Sequence, residues 1–159
     1  MYGIKVIGLG NGFRGDDAVG NLIARELLPY QNPGVSIVEG GLSGLNLLEE
    51  MKDTHKVILI DAVFGQTGAG TIHRFTIPQD LETFHTFTWS TSTASSHGFG
   101  VGEALTLAET LGVLPPQVVM YGIELGTLAT GEPLSPRVAD AMHQVVHRIA
   151  QEELSCSHA

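Results

Sequence analysis

The sequence predicts an α/β fold, a three-layer α/β/α sandwich around a mostly parallel, mixed five-stranded sheet. Five apolar runs rich in β-branched residues alternate with helical patterns, and they occupy residues 4–7, 35–38, 57–60, 71–77 and 118–123. The third run, Val57-Ile58-Leu59-Ile60, contains no polar residue. A strand of this kind is buried on both faces, as in a parallel sheet that lies between two layers of helices.

Length and composition favour one soluble domain over residues 1–159. Apolar residues make up 43% of the chain and charged residues 16%, which excludes disordered and fibrous proteins. No apolar run approaches the roughly 18 residues of a membrane helix, and the N-terminus lacks a signal-peptide pattern. The single cysteine, Cys156, is typical of a reducing compartment, and we expect a cytoplasmic monomer. The net charge of −9 argues against a nucleic-acid partner.

The first half of the chain predicts three strands, and the first two lead into helices. Strand one ends in the glycine-rich loop 8–12, and Asp16 is expected to cap the helix that follows. This helix is expected to end before Pro29, and its apolar stripe consists of Val19, Leu22, Ile23 and Leu27. Strand two is followed by the turn Gly40-Gly41 and by a helix over 43–51.

The second half of the chain is expected to add an antiparallel strand, a flap, a further strand and two helices. Only nine residues, 62–70, connect strands three and four, whereas a parallel crossover needs about a dozen. Strand four is therefore predicted to be antiparallel. The Ser/Thr-rich segment 83–96 has no regular period, which indicates a loop or flap. Helix three is predicted over 98–111, and the last helix has Ser135 at its N-cap and Pro136 at its first position.

Polar residues that could carry chemistry follow the strands at one edge of the predicted sheet. Asp16 and Asp17 open helix one, Glu39 ends strand two, Asp61 ends strand three, and His97 opens helix three. Ligands of open α/β sheets bind at this carboxyl edge. Asp17, Asp61 and His97 would together supply two carboxylates and one imidazole. This set can bind a divalent ion such as Ni²⁺ or Zn²⁺ and leave coordination positions open.

Each of these residues also has a purely structural interpretation. Asp16 and Asp17 could cap helix one, and His97 could cap helix three. Asp61 could accept hydrogen bonds from loop amides at the end of its strand. The occurrence of all of them at one edge of the sheet favours a shared site over a set of separate caps.

Three other chemistries fit the sequence poorly. A dinucleotide fingerprint would need a third glycine where Phe13 stands, and the carboxylates of Asp16 and Asp17 would repel a phosphate. No nucleophile-elbow pentapeptide occurs, which argues against a serine hydrolase. The remaining histidines show no acidic or cysteine partner at metal-ligand spacing and are expected mostly at the surface; they are His55, His73, His85, His143, His147 and His158.

The sequence resembles the hydrogenase maturation protease family over nearly its whole length. The segments that carry the resemblance are Gly8-Leu9-Gly10-Asn11, Arg14-Gly15-Asp16-Asp17-Ala18-Val19-Gly20, Glu39-Gly40-Gly41, Ile60-Asp61-Ala62 and Ser96-His97. The resemblance implies a three-layer α/β sandwich. It also implies an endopeptidase that removes the C-terminal extension of a [NiFe] hydrogenase large subunit after nickel insertion, with Asp17, Asp61 and His97 contacting that nickel. Glu39 stands where the family usually has aspartate.

For the cleavage itself we expect metal-assisted peptide hydrolysis in which the substrate presents the nickel. Asp16 or Glu39 is then the candidate proton acceptor, because no activated serine or cysteine is visible. Two alternatives remain open. One is a metal-sensing chaperone of the hydrogenase subunit without proteolytic activity. The other is a relative of peptidyl-tRNA hydrolase, which has a similar opening strand and Gly-Leu-Gly-Asn turn. The chain has only 8 lysines and arginines, and this low number argues against RNA binding.

Overall fold

The computed structural model describes residues 2–10, 15–39, 44–65, 67–90, 99–126 and 133–154. Within these ranges the strands are β1 (Tyr2–Gly8), β2 (Val35–Glu39), β3 (Thr54–Phe64), β4 (Ile72–Ile77), β5 (Thr88–Trp89) and β6 (Gln117–Glu124). The α-helices are α1 (Val19–Glu26), α2 (Gly44–Met51), α3 (Leu81–Phe84), α4 (Val101–Thr110) and α5 (Pro136–Arg148). Every helix in these ranges is too short or too polar to cross a lipid bilayer.

The strands form one mixed sheet in the order β2-β1-β3-β6-β4, with β5 paired to β3. Strands β1, β2, β3 and β6 are parallel to one another. Strand β4 runs antiparallel to β6, which confirms the prediction made from the short connection between strands three and four. All five predicted strands are present. The prediction of an irregular segment over 83–96 is wrong in part, because the two-residue strand β5 lies in it.

Strand β3 is longer than the sequence indicates. Asp61 was expected to end this strand, but β3 continues to Phe64. Partners from elsewhere in the chain explain the extension: Val63 pairs with Glu124 on one side and with Trp89 on the other. Asp61 consequently lies inside a paired strand, three residues before its end.

Side chains from the two faces of the sheet enter separate apolar layers. Ile58 and Ile60 pack with α1 and α5, whereas Val57 and Leu59 pack with α2 and α4. All four are completely buried. This alternation confirms the expectation that the third strand is covered on both faces, and it gives the three-layer α/β/α architecture.

A close backbone approach fixes the position of α1 against the sheet. A side chain at Gly20 would collide with the carbonyl oxygens of Leu9 and Ile60, and a side chain at Gly8 would collide with Gly20 itself. Glycine at both positions therefore lets the first turn of α1 rest directly on the ends of β1 and β3. The 3-10 helix Gly15–Ala18, which precedes α1, is thereby held at the carboxyl edge of the sheet.

A buried charge cluster anchors the C-terminal end of the chain. After α5 the chain continues as a π-helical turn, Ile149–Glu153, which places the Glu153 carboxylate against the sheet. It pairs with Lys56 at 3.0 Å and with Arg74 at 2.9 Å, and it accepts a 2.6 Å hydrogen bond from the Tyr121 hydroxyl. Burial alone would raise the pKa of Glu153, but these donors lower it to about 2. Burial also raises the pKa of Tyr121 to about 12.

We predict that Glu153→Gln lowers the free energy of unfolding at pH 7 by about 3–5 kcal/mol, because it leaves the buried Lys56 and the partly exposed Arg74 without their counter-charge. Chemical denaturation measures this change. The matched control is Glu152→Gln, since Glu152 is exposed and its ion pair with Arg148 is long, at 3.6 Å. The control should change stability by less than about 1 kcal/mol.

The difference in stability between the wild type and Glu153→Gln should also depend on pH. The folded-state pKa of Glu153 lies below its ordinary value of 4.5, so its contribution to stability is present above pH 4.5. That contribution is lost as the pH falls from 4.5 through about 2. The stability difference between the wild type and Glu153→Gln should therefore shrink over this window, and a constant difference would contradict the assignment.

Candidate functional site

The carboxyl ends of the parallel strands meet at one edge of the sheet, as the sequence predicts. Glu39 is the last residue of β2 and pairs with Gly8, the last residue of β1. Gly8 in turn pairs with Ile60, so Asp61 lies one residue beyond the end of β1. The backbone amide of Leu9 donates to the Ile60 carbonyl at 2.8 Å, which closes this corner of the edge.

Asp61 provides a fixed, dehydrated carboxylate at this edge. Its exposed fraction is 0%, and its Oδ1 accepts a 2.9 Å hydrogen bond from the amide of Ala62. The carboxylate lies on the same face of β3 as Leu59 and Val63, the face covered by α2 and α4. A carboxylate in such surroundings attracts a cation more strongly than one in water, because the local dielectric constant is lower.

Asp16 does not cap helix one, contrary to the prediction. The N-cap position of α1 is Ala18, which makes no side-chain cap hydrogen bond. The Asp16 carboxylate is completely buried and accepts hydrogen bonds from the Gly126 amide at 2.6 Å and the Ser135 amide at 2.8 Å. The Ser135 hydroxyl adds a third at 2.9 Å. Asp16 therefore ties the 3-10 helix to the end of β6 and the start of α5.

The structure describes only the backbone of Asp17 and does not describe His97, the other two predicted metal ligands. The backbone of Asp17 belongs to the 3-10 helix at the carboxyl edge, but its side chain lies outside the described part of the chain. His97 and Cys156 also lie outside the described residues. The described side chains contain no group of three His, Cys, Asp or Glu residues that could hold a metal. The Asp17, Asp61 and His97 site thus stays a prediction.

Glu39 is confirmed as the residue that ends strand two, and it is engaged in an ion pair. Its Oε1 atom lies 2.7 Å from Nη2 and 3.2 Å from Nε of Arg25, on α1. The hydrogen bonds that Arg25 donates to the Glu39 carboxylate raise the pKa of the guanidinium. Both side chains are exposed. The pair connects β2 to α1 at the surface.

The sequence analysis missed Glu124, the last residue of β6. Its buried carboxylate accepts hydrogen bonds from the hydroxyl and the amide of Thr67, and from the amide of Gly68 at 2.9 Å. It also lies 2.7 Å from Nε2 of His73, on β4. Burial alone raises the pKa of Glu124, but the hydrogen bonds from Thr67, His73 and Gly68 outweigh it and hold the pKa below its ordinary value.

His73 has an acidic partner that sequence spacing does not reveal. Its partner lies 51 positions away and becomes adjacent through the antiparallel pairing of β4 and β6. By contrast, His85 lies at the surface, where its Nε2 contacts the Thr106 hydroxyl at 2.9 Å. His73 is therefore the histidine that the described structure places in a polar cluster at the carboxyl edge.

Asp61, Gly122 and His73 stand in one row across the sheet. Asp61 pairs with Gly122, and Gly122 pairs with His73, so the Asp61 and His73 side chains share one face. The indole ring of Trp89 covers the position of the missing side chain between them: a Cβ atom on Gly122 would lie 2.7 Å from Cη2. Trp89 stacks on Phe84 with ring centres 4.7 Å apart. The buried indole of Trp89 thus lies over Gly122, between the strands that carry Asp61 and His73.

We predict that Gly122→Ala displaces the indole of Trp89 and lowers the free energy of unfolding by about 1–3 kcal/mol through overpacking. Trp89 is the only tryptophan, so intrinsic fluorescence reports its surroundings directly. Gly34→Ala is the control, because the nearest atom to its Cβ would lie 3.4 Å away. Equal emission spectra for both variants and the wild type would contradict the packing.

We also predict that Asp16→Asn lowers the free energy of unfolding by about 1–3 kcal/mol. One amide nitrogen would replace an acceptor oxygen at the buried end of the contact and leave a donor of Gly126 or Ser135 unsatisfied. Thermal or chemical denaturation measures the loss. Asp140→Asn, at an exposed position of α5, should stay within about 0.5 kcal/mol of the wild type. Equal stabilities of the two variants would count against the anchoring role of Asp16.

The family of the chain is shown by its similarity to known proteins. The model of the hydrogenase maturation protease family, HycI, matches residues 21–152. The chain is 28% identical over 152 residues to the hydrogenase 2 maturation protease of Escherichia coli, covering 92% of this chain and 87% of that protein. It is 31% identical over 140 residues to the hydrogenase expression/formation protein HupD of Bradyrhizobium diazoefficiens, with 86% and 70% covered.

Solved structures agree with this relationship. The hydrogenase maturating endopeptidase HybD from Escherichia coli superposes with a TM-score of 0.73 at 25% identity, covering 94% of this chain and 93% of that one. The [NiFe] hydrogenase maturation protease HybD from Thermococcus kodakarensis has a TM-score of 0.74 at 20% identity, covering 95% and 98%, and supports the fold. The resemblance seen in the sequence motifs is confirmed. The chain belongs to the hydrogenase maturation protease family and is an endopeptidase.

Proposed function

We propose that this endopeptidase removes the C-terminal extension of a nickel-loaded [NiFe] hydrogenase large-subunit precursor. One observation carries the proposal: the buried Asp61 carboxylate lies at the carboxyl edge, where the 3-10 helix with Asp17 also ends. Membership of the family supports it, as do relatives named for hydrogenase maturation. The proposal treats the protein as a cytoplasmic monomer whose partner is the precursor.

In this proposal Asp17, Asp61 and His97 grip the nickel that the precursor carries. The donor set fits such an ion, because carboxylate and imidazole ligands bind divalent first-row metals and three protein ligands leave positions for the precursor's own donors. Asp61 fits the task in particular, since its burial and its hydrogen bond from Ala62 fix the carboxylate before the metal arrives. Nickel is then part of the substrate and reports that the precursor is ready for cleavage.

The gripped ion supplies a Lewis acid that can polarise the scissile carbonyl or a water molecule. The protein must still take a proton from the water and deliver one to the leaving amine. Neither carboxylate suggested by the sequence suits this task. Asp16 is committed to three hydrogen bonds, and Glu39 is exposed and paired with Arg25. Asp16 and Glu39 instead hold together the chain segments that form the carboxyl edge of the sheet.

We predict that Asp17→Asn, Asp61→Asn and His97→Ala each abolish cleavage and leave the protein folded, because each removes one metal contact. The assay incubates purified protein with nickel-loaded precursor and measures the shortened product by mass spectrometry. Nickel-free precursor should not be cleaved by the wild type. Asp140→Asn, an exposed position on α5, is the matched control and should cleave at the wild-type rate.

Two results would contradict the proposal. A folded Asp61→Asn variant that cleaves at the wild-type rate would exclude the metal grip. A wild-type protein that binds nickel-loaded precursor without shortening it would instead favour the metal-sensing chaperone.

A further inference from the structure

We propose that His73, oriented by Glu124, is the general base of the cleavage reaction. The inference rests on the proposed function, since it assigns a residue to that reaction. It is drawn from the geometry of the polar cluster formed by Thr67, Gly68, His73 and Glu124 at the carboxyl edge of β6.

The first step concerns the proton on His73. The Glu124 carboxylate is held ionised by donors from Thr67 and Gly68, and an ionised carboxylate accepts hydrogen bonds only. The 2.7 Å contact therefore places the proton of the neutral imidazole on Nε2 of His73. Its Nδ1 atom then carries the lone pair, which is the form that a general base requires.

The second step concerns access to Nδ1. Among the described residues, Glu124 is the hydrogen-bond partner of the His73 side chain, and the contact uses Nε2. The His73 side chain is 22% exposed, so part of the imidazole is accessible from outside the cluster, and the hydrogen bond to Glu124 leaves Nδ1 free of that contact. The ring is held in place by Phe87, with ring centres 4.8 Å apart, and by Phe75 at 6.3 Å.

The charged surroundings of His73 are simple. Glu124 is the charged group that contacts its ring among the described residues, and the neighbouring α3–β5 segment contributes Phe87. On its own strand, Arg74 lies on the opposite face and pairs with Glu153. Asp61 shares the face of His73 from two strands away.

The third step concerns position. Asp61 and His73 are two strand spacings apart, about 10 Å between their backbones. A bound peptide covers this distance with about three extended residues. A precursor that places its nickel beside Asp61 can thus present a peptide bond near His73. The metal grip and the proton acceptor then serve two different groups of one substrate.

The chemistry balances without a further reagent. Water gives a proton to Nδ1 of His73 as its oxygen forms a bond to the scissile carbonyl carbon. The tetrahedral intermediate collapses, the carbon–nitrogen bond breaks, and the Nδ1 proton passes to the leaving amine. Glu124 stabilises the imidazolium that exists between the two transfers. His73 ends the cycle in its starting form.

The test compares His73→Gln, Glu124→Gln and the surface control His85→Gln on nickel-loaded precursor. Single-turnover cleavage and precursor binding are measured separately from pH 5 to pH 8, with nickel occupancy checked at each pH. We expect His73→Gln to lose about 10²–10⁴-fold in cleavage rate and to keep its affinity for the precursor. His85→Gln should match the wild type. The dependence of the cleavage rate on pH should differ between the wild type and His73→Gln.

A second variant separates chemistry from packing. His73→Ala should regain cleavage activity when imidazole is added, and the Trp89 emission spectrum checks that it remains folded. Wild-type cleavage by His73→Gln would overturn the proposal, as would equal losses of binding and cleavage without rescue by imidazole. If the wild type does not shorten nickel-loaded precursor, the proposed function itself fails, and the assignment of His73 falls with it.

Discussion

One buried carboxylate, that of Asp16, determines how the carboxyl edge is assembled. A carboxylate removed from water is costly unless hydrogen bonds replace its hydration. Asp16 obtains three of them from Gly126 and Ser135, which lie 110 and 119 positions further along the chain. The end of β6, the start of α5 and the 3-10 helix must therefore meet at one point. The position of Asp17 at the edge follows from that meeting.

The fold could be predicted because its determinants are local. An uninterrupted apolar run identifies the buried strand β3, and the short connection 62–70 requires β4 to be antiparallel. The end of β3 could not be predicted, because it depends on pairing with Trp89 and Glu124, which are distant in sequence. Asp61 consequently looked like the end of a strand, although it lies inside one.

The site was predictable only in part. An acidic residue that closes an apolar run identified Glu39, and the same signal is present at Glu124 after the run 118–123, where the analysis did not use it. The role of Asp16 was invisible, since a helix cap and a distant anchor both require an aspartate before a helix. The partner of His73 was equally hidden, because only the register of β4 against β6 brings Glu124 within 2.7 Å.

Two neighbouring residues of β4 show how the partner of a buried glutamate decides what the pair can do. His73 and Arg74 lie on opposite faces of the sheet, and each meets one buried glutamate there. Glu153 pairs with the two cationic side chains of Arg74 and Lys56, so that cluster serves as an anchor for the C-terminal turn. Glu124 instead pairs with the imidazole of His73, a ring with two nitrogens of which the contact uses one. The pair of His73 and Glu124 lies on the face of the sheet that carries Asp61, and the Glu153 cluster lies on the face that packs against α5. In the reaction proposed above, proton transfer takes place on the face that carries Asp61, and the Glu153 cluster on the opposite face serves the fold.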